Sequence, residues 1–405
     1  MWLLLIIALG VRLLMACGVQ FYMENQVHRD FLIAGDAAGY WELATQLADG
    51  EPYEIYTPPR QILRMPGFPL VLALPVRLSD ASFLVARLWL ALIGTLAVYL
   101  TFQLAREWFD RQAAFCAGWI VALHPVLAGF SVLILSETSF AAALLASLWC
   151  FTRLQKKPNS ISLALTAGLL AAVATYMRPV WLLFPAIWGG FALIHLPNKR
   201  MIWRNLFLVH LAMGLALAPW IYRNYQVSGH LVVTTLWAGP SLYDGLNPAA
   251  TGASNMQFFE VDNLSARMSE YEVDREYRSR AWQFVRENPQ RTLELAGIKL
   301  FRFWRPWPSA EEVSLPPVVW SIGLLNTLLF LCLMLAVWKY RRESSLLFYC
   351  LAPVLFFSLL HLLFVGSLRY RLPAEYPLLI LVGEYLSNLL CRNRIGGVAR
   401  GDYEG

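Results

Sequence analysis

The sequence predicts an all-α membrane protein that crosses the bilayer many times, and three observations support this fold class. Hydrophobic residues make up 58% of the 405 residues and charged residues only 15%, whereas soluble domains average about 25% charged residues. The mean hydropathy is +0.50. The apolar residues also occur in runs that reach the roughly 20 residues needed to cross a bilayer. We therefore expect a bundle of transmembrane helices.

Ten apolar segments fit transmembrane helices. We expect the first to be a retained span, because no basic region precedes it and Arg12 interrupts it, which a cleaved signal peptide would not show. The stretch at 66–78 is too short and too rich in proline to cross, so it predicts a juxtamembrane or re-entrant helix. The predicted spans are 2–22, 81–104, 112–130, 132–152, 160–177, 179–197, 204–222, 317–338, 345–365 and 372–391.

Basic loops orient these spans. Lysine and arginine fall in short loops after alternate spans, as at 153–157 and 339–342, and in the C-terminal tail. Ten spans place all of these loops and the N-terminus on one side, which the positive-inside rule makes cytoplasmic. The net charge of +6 is thus explained by topology, and without a single basic patch we expect no nucleic-acid partner.

This topology divides the chain into three units. Residues 1–222 form an N-terminal transmembrane module, which includes the first outer loop, 23–80. Residues 223–316 form an extracytoplasmic helical segment, called here the outer segment. Residues 317–405 form the C-terminal transmembrane helices and a cytoplasmic tail.

The outer segment carries a helical pattern. Its periodicity predicts a helix of about 264–287, a break at Asn288-Pro289, and a second helix that follows the membrane surface. Aromatic residues alternate with arginines at 301–307, as in an interfacial belt.

Ionisable residues from distant parts of the chain fall at the outer ends of spans. Charged groups at membrane depth are costly and are functional candidates by default, so we expect one pocket in which an acid faces an arginine cluster. For any single arginine, anchoring to lipid headgroups is an equal alternative, and Asp36 also suits a helix N-cap. We expect Glu137 to pair with an arginine and His124 to be structural. The residues of the expected pocket are Asp36, Glu137, Arg178, Arg223, Arg369 and Arg371.

An ordered set of motifs resembles the GT-C superfamily of integral-membrane glycosyltransferases. The most similar members are bacterial relatives of protein O-mannosyltransferase and the lipid A aminoarabinose transferase. The resemblance implies a GT-C-like bundle of about 10–11 transmembrane helices, with juxtamembrane helices in the first outer loop. The motifs are "GDAAGYWELATQLADG", "RMPGFP", "LSET", "MRP", "PWIYRNYQVSGH", "ENPQRTLELAGIKLFRFW" and "RYRLPAEYPLLIL".

The resemblance implies an inverting glycosyltransferase that moves a sugar from a polyprenyl-phosphate carrier to an extracytoplasmic lipid, polysaccharide or protein. In that superfamily an aspartate soon after the first span lies at the reaction centre, and Asp36 takes this position. It is the best candidate for a general base, and a single carboxylate base predicts inversion. Tyr40 is a candidate for stacking on a sugar ring.

A phosphate leaving group needs cationic hydrogen-bond donors and no general acid. Arginines at the outer face are therefore the candidate ligands of the donor phosphate. They are Arg64, Arg178, Arg223, Arg369 and Arg371, with Arg64 drawn from the "RMPGFP" motif.

We expect no cofactor and no metal. The family's Asp-x-Asp or Glu-x-Asp pair is missing around Asp36, where the sequence reads "DAAG". A divalent metal stays open as an alternative without support from a paired-acid motif. The six cysteines form no CxxC motif, so a zinc site is not expected either.

The alternative function is a transporter or flippase of a lipid-linked or anionic envelope precursor, which would also bury arginines and an acid. The sequence shows no internal repeat of the kind expected for an inverted-repeat transporter, and its polar groups lie on one side. We therefore expect an enzyme of the bacterial inner membrane with a periplasmic active site. Its partners would be the lipid-linked donor, the acceptor and membrane lipids.

Overall fold

The computed structural model of the chain describes residues 1–308 and 316–398, with side chains described to residue 390. These residues form helices, and the only strand-like feature among them is one bridge between Ile55 and Arg60. The α-helices are α1 (Trp2–Tyr22), α2 (Ala34–Asp49), α3 (Gly67–Leu78), α4 (Phe83–Arg106), α5 (Arg111–Leu123), α6 (Pro125–Phe130), α7 (Glu137–Lys156), α8 (Ile161–Met177), α9 (Phe184–His195), α10 (Lys199–Ser228), α11 (Ala238–Gly245), α12 (Gln257–Asp262), α13 (Glu270–Glu287), α14 (Pro289–Trp304), α15 (Pro316–Lys339), α16 (Ser344–Leu360) and α17 (Leu368–Val398).

Each predicted span coincides with one helix or with two consecutive ones. Within the described residues, four helices are long and apolar enough to cross a membrane: α1 with the π-turn that extends it, α4, α10 and α15. The segments 67–78, 111–123, 161–177, 179–195 and 344–360 are shorter apolar helices. The predicted fold class, an all-α polytopic membrane protein, is confirmed. The assignment of the two sides stays a prediction.

Capping chemistry sets several helix ends. The Asp110 side chain accepts the N–H of Ala113 at 2.8 Å and begins α5. At α13, Ser269 and Glu272 form a capping box, which explains why the helix begins at residue 270, later than predicted. The predicted break at Asn288-Pro289 is confirmed, because α14 starts with Pro289 as its first residue.

The core is built by close helix pairs, among which α8 packs on α10 and on α7, and α17 packs on α5. Small residues permit this approach. A Cβ atom at Gly168 of α8 would lie 2.2 Å from the Val209 carbonyl oxygen of α10. A Cβ atom at Gly383 of α17 would lie 2.4 Å from the Ala117 nitrogen of α5. Any larger residue at either position would therefore push two spans apart.

Two polar residues within the spans have structural partners. Arg12, which interrupts the first apolar run, is fully buried and donates to the carbonyls of Ala8 at 3.0 Å and Ala122 at 3.2 Å. His124 lies at the break between α5 and α6, where Nε2 and Asn326 Oδ1 are 2.9 Å apart. The structural role expected for His124 is therefore confirmed.

The N-terminal ends of α2 and α17 determine where the candidate site residues point. Ile33 occupies the N-cap position of α2, and Asp36 is the third residue of the helix. The alternative that Asp36 is an N-cap is therefore wrong, although its carboxylate still benefits from the N-terminal end of the helix. Because α17 begins at Leu368, Arg369 and Arg371 lie in its first turn, about 200° apart around the helix axis.

Candidate active site

A cluster of five ionisable side chains lies where α2, α7, α17 and two loops meet. Asp36 Oδ1 accepts from Arg64 Nη2 at 2.9 Å, and Asp36 Oδ2 lies 2.8 Å from Arg369 Nη2. Glu137 Oε1 accepts from Arg178 Nη2 at 2.9 Å and from Arg369 Nε. Arg369 therefore bridges the two carboxylates. We call these five residues the ion cluster.

The ion cluster is open on one side and closed on the other. The Asp36 side chain is 35% exposed, whereas that of Glu137 is 1% exposed. Three arginines and two carboxylates give the cluster a formal charge of +1. In surroundings of low dielectric constant, an uncompensated cation attracts an anion more strongly than it would in water. The arrangement is therefore suited to an anionic ligand that enters from the Asp36 side.

The arginines keep Asp36 ionised. Burial by itself raises the pKa of the Asp36 carboxyl, but the charges of Arg369 and Arg64 outweigh it and hold that pKa well below its usual range. Burial likewise lowers the pKa of Arg64, while the Asp36 charge raises it above its usual value. Both groups are consequently charged at neutral pH.

Tyr40 lies beneath Arg64. The Arg64 guanidinium is 4.4 Å from the centre of the Tyr40 ring, and the Tyr40 hydroxyl donates to Ser136 Oγ at 3.4 Å. Ser136 also accepts from Arg178 Nε at 3.1 Å. One face of the Tyr40 ring is therefore covered by a cation, so Tyr40 supports Arg64. The predicted stacking of Tyr40 on a sugar stays a prediction.

Arg223 does not join the ion cluster. It donates to the carbonyls of Gln61 at 2.5 Å and Tyr53 at 3.0 Å, and it lies 5.1 Å from the ring of Trp220. Its guanidinium thereby stabilises the loop that leads to Arg64. The prediction that Arg223 contacts the donor phosphate is corrected to a role in supporting the first outer loop.

Arg371 points away from the cluster as well. It is fully buried, donates from Nε to Glu375 at 2.6 Å, and donates to the main-chain carbonyls of Phe303 and, at 3.3 Å, Arg305. This arrangement does not support the prediction that Arg371 joins Arg369 as a ligand of the donor phosphate, since both lie on a helix, where residues two apart diverge.

The outer segment is hydrogen-bonded to the loop that carries Arg64. The Glu270 carboxylate accepts the backbone N–H groups of Gln61 at 2.9 Å and Ile62 at 3.0 Å. The backbone N–H of Leu236 donates to the Ile62 carbonyl at 2.9 Å. Sequence reasoning missed Glu270 because one glutamate among the many charges of α13 carries no signal of its own.

The outer segment is also hydrogen-bonded to the loop that precedes Arg369. The fully buried Lys299 donates from Nζ to the carbonyls of Leu363 at 2.7 Å and Leu362 at 3.2 Å. Burial lowers the pKa of Lys299 to about 8, although the nearby Asp244 partly opposes the shift. A Cβ atom at Gly366 would lie 2.2 Å from the Lys299 carbonyl oxygen, so glycine is required for this close contact.

No metal-binding cluster is found in the described part of the chain: no three histidine, cysteine, aspartate or glutamate side chains there are placed to share an ion. The two carboxylates nearest the candidate site, Asp36 and Glu137, are both bound by arginines. Whether the protein uses a metal therefore stays a prediction.

Comparison with known families gives one partial match. The family model described as dolichyl-phosphate-mannose-protein mannosyltransferase matches residues 63–222. This stretch contains Arg64, Glu137 and Arg178, while Asp36 and Arg369 lie outside it. A search of curated protein sequences found no significant match.

Comparison with solved structures extends over the whole chain. The archaeal oligosaccharyltransferase AglB from Archaeoglobus fulgidus, in complex with an inhibitory peptide and a dolichol-phosphate, gives a TM-score of 0.56 at 13% identity. The match covers 98% of this chain and 52% of that one. An Archaeoglobus fulgidus oligosaccharyltransferase tethered to an acceptor peptide gives a TM-score of 0.53 at 14% identity, with 95% of this chain and 49% of that one covered.

ArnT from Cupriavidus metallidurans bound to undecaprenyl phosphate gives a TM-score of 0.46 at 15% identity, with 95% and 77% covered. The present chain spans about half the length of the oligosaccharyltransferase. The chain therefore has the fold of the oligosaccharyltransferase, and its residues 63–222 match the dolichyl-phosphate-mannose-protein mannosyltransferase family; both findings support the resemblance stated from the sequence.

Proposed function

We propose that this protein is an inverting membrane glycosyltransferase that takes a sugar from a polyprenyl-phosphate carrier and transfers it to an extracytoplasmic acceptor. The observation that carries the proposal is the ion cluster, in which a partly exposed carboxylate adjoins an excess of arginines. The class of donor is supported by the matching family, named for a dolichyl-phosphate-mannose donor, and by the oligosaccharyltransferase solved with a dolichol-phosphate.

Arg64 and Arg369 bind the donor phosphate in this proposal, and Arg178 assists them through Glu137. When the bond between the anomeric carbon and the phosphate oxygen breaks, negative charge grows on the phosphate. Guanidinium groups stabilise that charge with planar, charge-assisted hydrogen bonds. Because they are held in place before the reaction, little reorganisation is needed in the transition state.

Asp36 accepts the proton of the acceptor hydroxyl or amine as that group attacks the anomeric carbon from the face opposite the phosphate. The configuration at the anomeric carbon is inverted, because only one displacement occurs. Asp36 suits this role because it is the more exposed carboxylate of the cluster. Glu137 is buried against Arg178 and Arg369 and serves to hold them.

The positive-inside rule supports an extracytoplasmic position of the ion cluster. In this proposal the protein lies in the bacterial inner membrane, and its site faces the periplasm. The acceptor is then a lipid, an envelope polysaccharide or a protein at that face. Mass spectrometry of envelope glycans from a deletion strain identifies which of them loses a sugar.

The test is transfer by the purified protein in lipid vesicles, with polyprenyl-phosphate mannose as the first donor and other polyprenyl-phosphate sugars as a panel. An envelope extract supplies the acceptor, and the released polyprenyl phosphate is measured by mass spectrometry. Asp36→Asn should lower turnover by about 10²–10⁴-fold, the usual contribution of a general base. Asp49→Asn, at the exposed end of the same helix, is the control and should transfer normally.

Near-normal transfer by Asp36→Asn would refute the base assignment. The same assay with a chelator examines the metal question, and loss of wild-type transfer on chelation would show that a metal takes part.

A further inference from the structure

Asp36 is engaged at both carboxylate oxygens. Oδ1 accepts from Arg64 at 2.9 Å, and Oδ2 pairs with Arg369 at 2.8 Å. We propose that these two arginines are exchanged between Asp36 and the donor phosphate: they hold the carboxylate in the resting site, and the donor phosphate takes over their hydrogen bonds and releases Asp36 to act as base. This inference rests on the proposed function and adds an order of events to it.

The exchange follows from what a general base requires. A base must present a free oxygen to the acceptor's proton at hydrogen-bond distance, and its proton affinity must be sufficient. In the resting site both oxygens of Asp36 face arginines, and the same arginines hold the pKa of the carboxyl well below its usual range. Asp36 is therefore a poor base until its contacts with Arg64 and Arg369 are loosened.

The charge of the ion cluster indicates which ligand loosens the contacts of Asp36 with its two arginines. Its formal charge of +1 equals in size the single negative charge of a phosphodiester such as a sugar-phosphate-polyprenol. In the part of the chain that the structure describes, Arg64 Nε has no hydrogen-bond partner. That nitrogen is buried, so Arg64 holds a hydrogen-bond donor that the contact with Asp36 does not use.

Glu137 explains why Arg369 stays in place during the exchange. It binds Arg369 through Nε and Arg178 through Nη2, while Asp36 is bound by a different nitrogen of Arg369, Nη2. Since Glu137 is almost completely buried, a phosphate that enters from the exposed side meets the Asp36 contacts first. The two carboxylates thus have separate roles: Glu137 anchors Arg369 and Arg178, and Asp36 occupies the arginine nitrogens that the phosphate later binds.

The test measures equilibrium binding of undecaprenyl phosphate, with undecaprenol as the phosphate-free control, to the wild type, Asp36→Asn and Glu137→Gln. If Asp36 competes with phosphate for Arg64 and Arg369, Asp36→Asn should bind undecaprenyl phosphate about tenfold more tightly than the wild type. Glu137→Gln makes the same change of charge in the same cluster but removes the anchor, so its affinity should be unchanged or weaker.

Three outcomes decide the matter. Unchanged or weaker binding by Asp36→Asn overturns the exchange, and equal tightening by both variants overturns it in favour of a general charge effect. If the wild type does not prefer undecaprenyl phosphate to undecaprenol, the proposed function itself fails. This outcome distinguishes a failure of the proposed function from a failure of the exchange alone.

A second measurement needs no variant. Infrared difference spectra of the wild type, recorded with isotope-labelled aspartate as undecaprenyl phosphate is added, should show a shifted carboxylate band as Asp36 leaves its arginines. An unchanged aspartate spectrum, with binding established, would overturn the proposal.

Discussion

Replacing Arg369 by lysine tests whether one guanidinium must hold both carboxylates. Arg369 donates from Nε to Glu137, and its Nη2 lies 2.8 Å from Asp36. Lysine keeps the positive charge but presents one compact ammonium on a flexible stem, and it cannot reproduce the two edges of a planar guanidinium. In Arg369→Lys, one of the two carboxylates is therefore left without this partner.

The interaction that Arg369→Lys removes is a charge-assisted hydrogen bond, and such bonds contribute about 1.5–3 kcal/mol. The Arg369 side chain is 9% exposed, so solvent screens the interaction little. Since about 1.4 kcal/mol corresponds to a factor of ten in rate, kcat/KM should fall about 10- to 150-fold. The assay is sugar transfer from the polyprenyl-phosphate panel, with the apparent melting temperature recorded in parallel.

Arg371→Lys is the matched control, because Arg371 lies two residues further along the same helix, is fully buried and pairs with Glu375 instead. It should lower the apparent melting temperature, since it removes donors to main-chain carbonyls, while turnover per folded molecule stays close to that of the wild type. Wild-type turnover in Arg369→Lys, or an equal loss in both variants at equal folded fraction, would refute the assignment.

Three further predictions concern the outer segment and the topology. Glu270→Gln should raise the donor KM several-fold, because its carboxylate holds residues 61–62 next to Arg64; an unchanged KM would argue against this support. Lys299→Met tests a protonation effect: the Lys299 pKa of about 8 lies below the roughly 10.4 of an unfolded chain, so the unfolded state binds more protons between these values. The wild type should therefore gain apparent melting temperature over Lys299→Met as pH rises from 8 to 10, and a constant difference would contradict it. In a cysteine-free background, a membrane-impermeant thiol reagent should label Asn255→Cys and not Arg342→Cys; the reverse would place the site in the cytoplasm.

The positions of the spans were predictable because the length of an apolar run directly reflects bilayer thickness. It was also predictable that Asp36, Glu137, Arg178 and Arg369 lie close together. All four ionisable residues occupy the same predicted outer face, and charged side chains at membrane depth are energetically costly unless they are paired.

The orientations of the Arg223 and Arg371 side chains were not predictable. Sequence spacing indicates which side of the membrane a residue lies on, but the face it occupies depends on where its helix begins. With α17 starting at Leu368, Arg369 points to the ion cluster and Arg371 to Glu375. A start a few residues later would have left both arginines on a loop, as the sequence allowed.

The second helix of the outer segment shows a similar limit. Its alternating aromatic residues predicted a belt at the membrane surface, and Phe301 is indeed 61% exposed. Phe303, however, is fully buried, as are Leu295 and Lys299, which follow one face of α14 at helical spacing. The amphipathic pattern was visible in the sequence, but the protein surface that covers the buried face was not.

The outer segment thereby contacts the backbone that precedes each of the two arginines holding Asp36, and it adds no charge to the ion cluster. Glu270 binds residues 61–62, just before Arg64, and Lys299 binds residues 362–363, six or seven residues before Arg369. Fixing the backbone of one residue costs about 1–2 kcal/mol of conformational entropy, and a site whose loops are ordered before binding avoids that part of the cost during binding. Substitutions in the outer segment should therefore act first on donor binding, even where they lie far from Asp36.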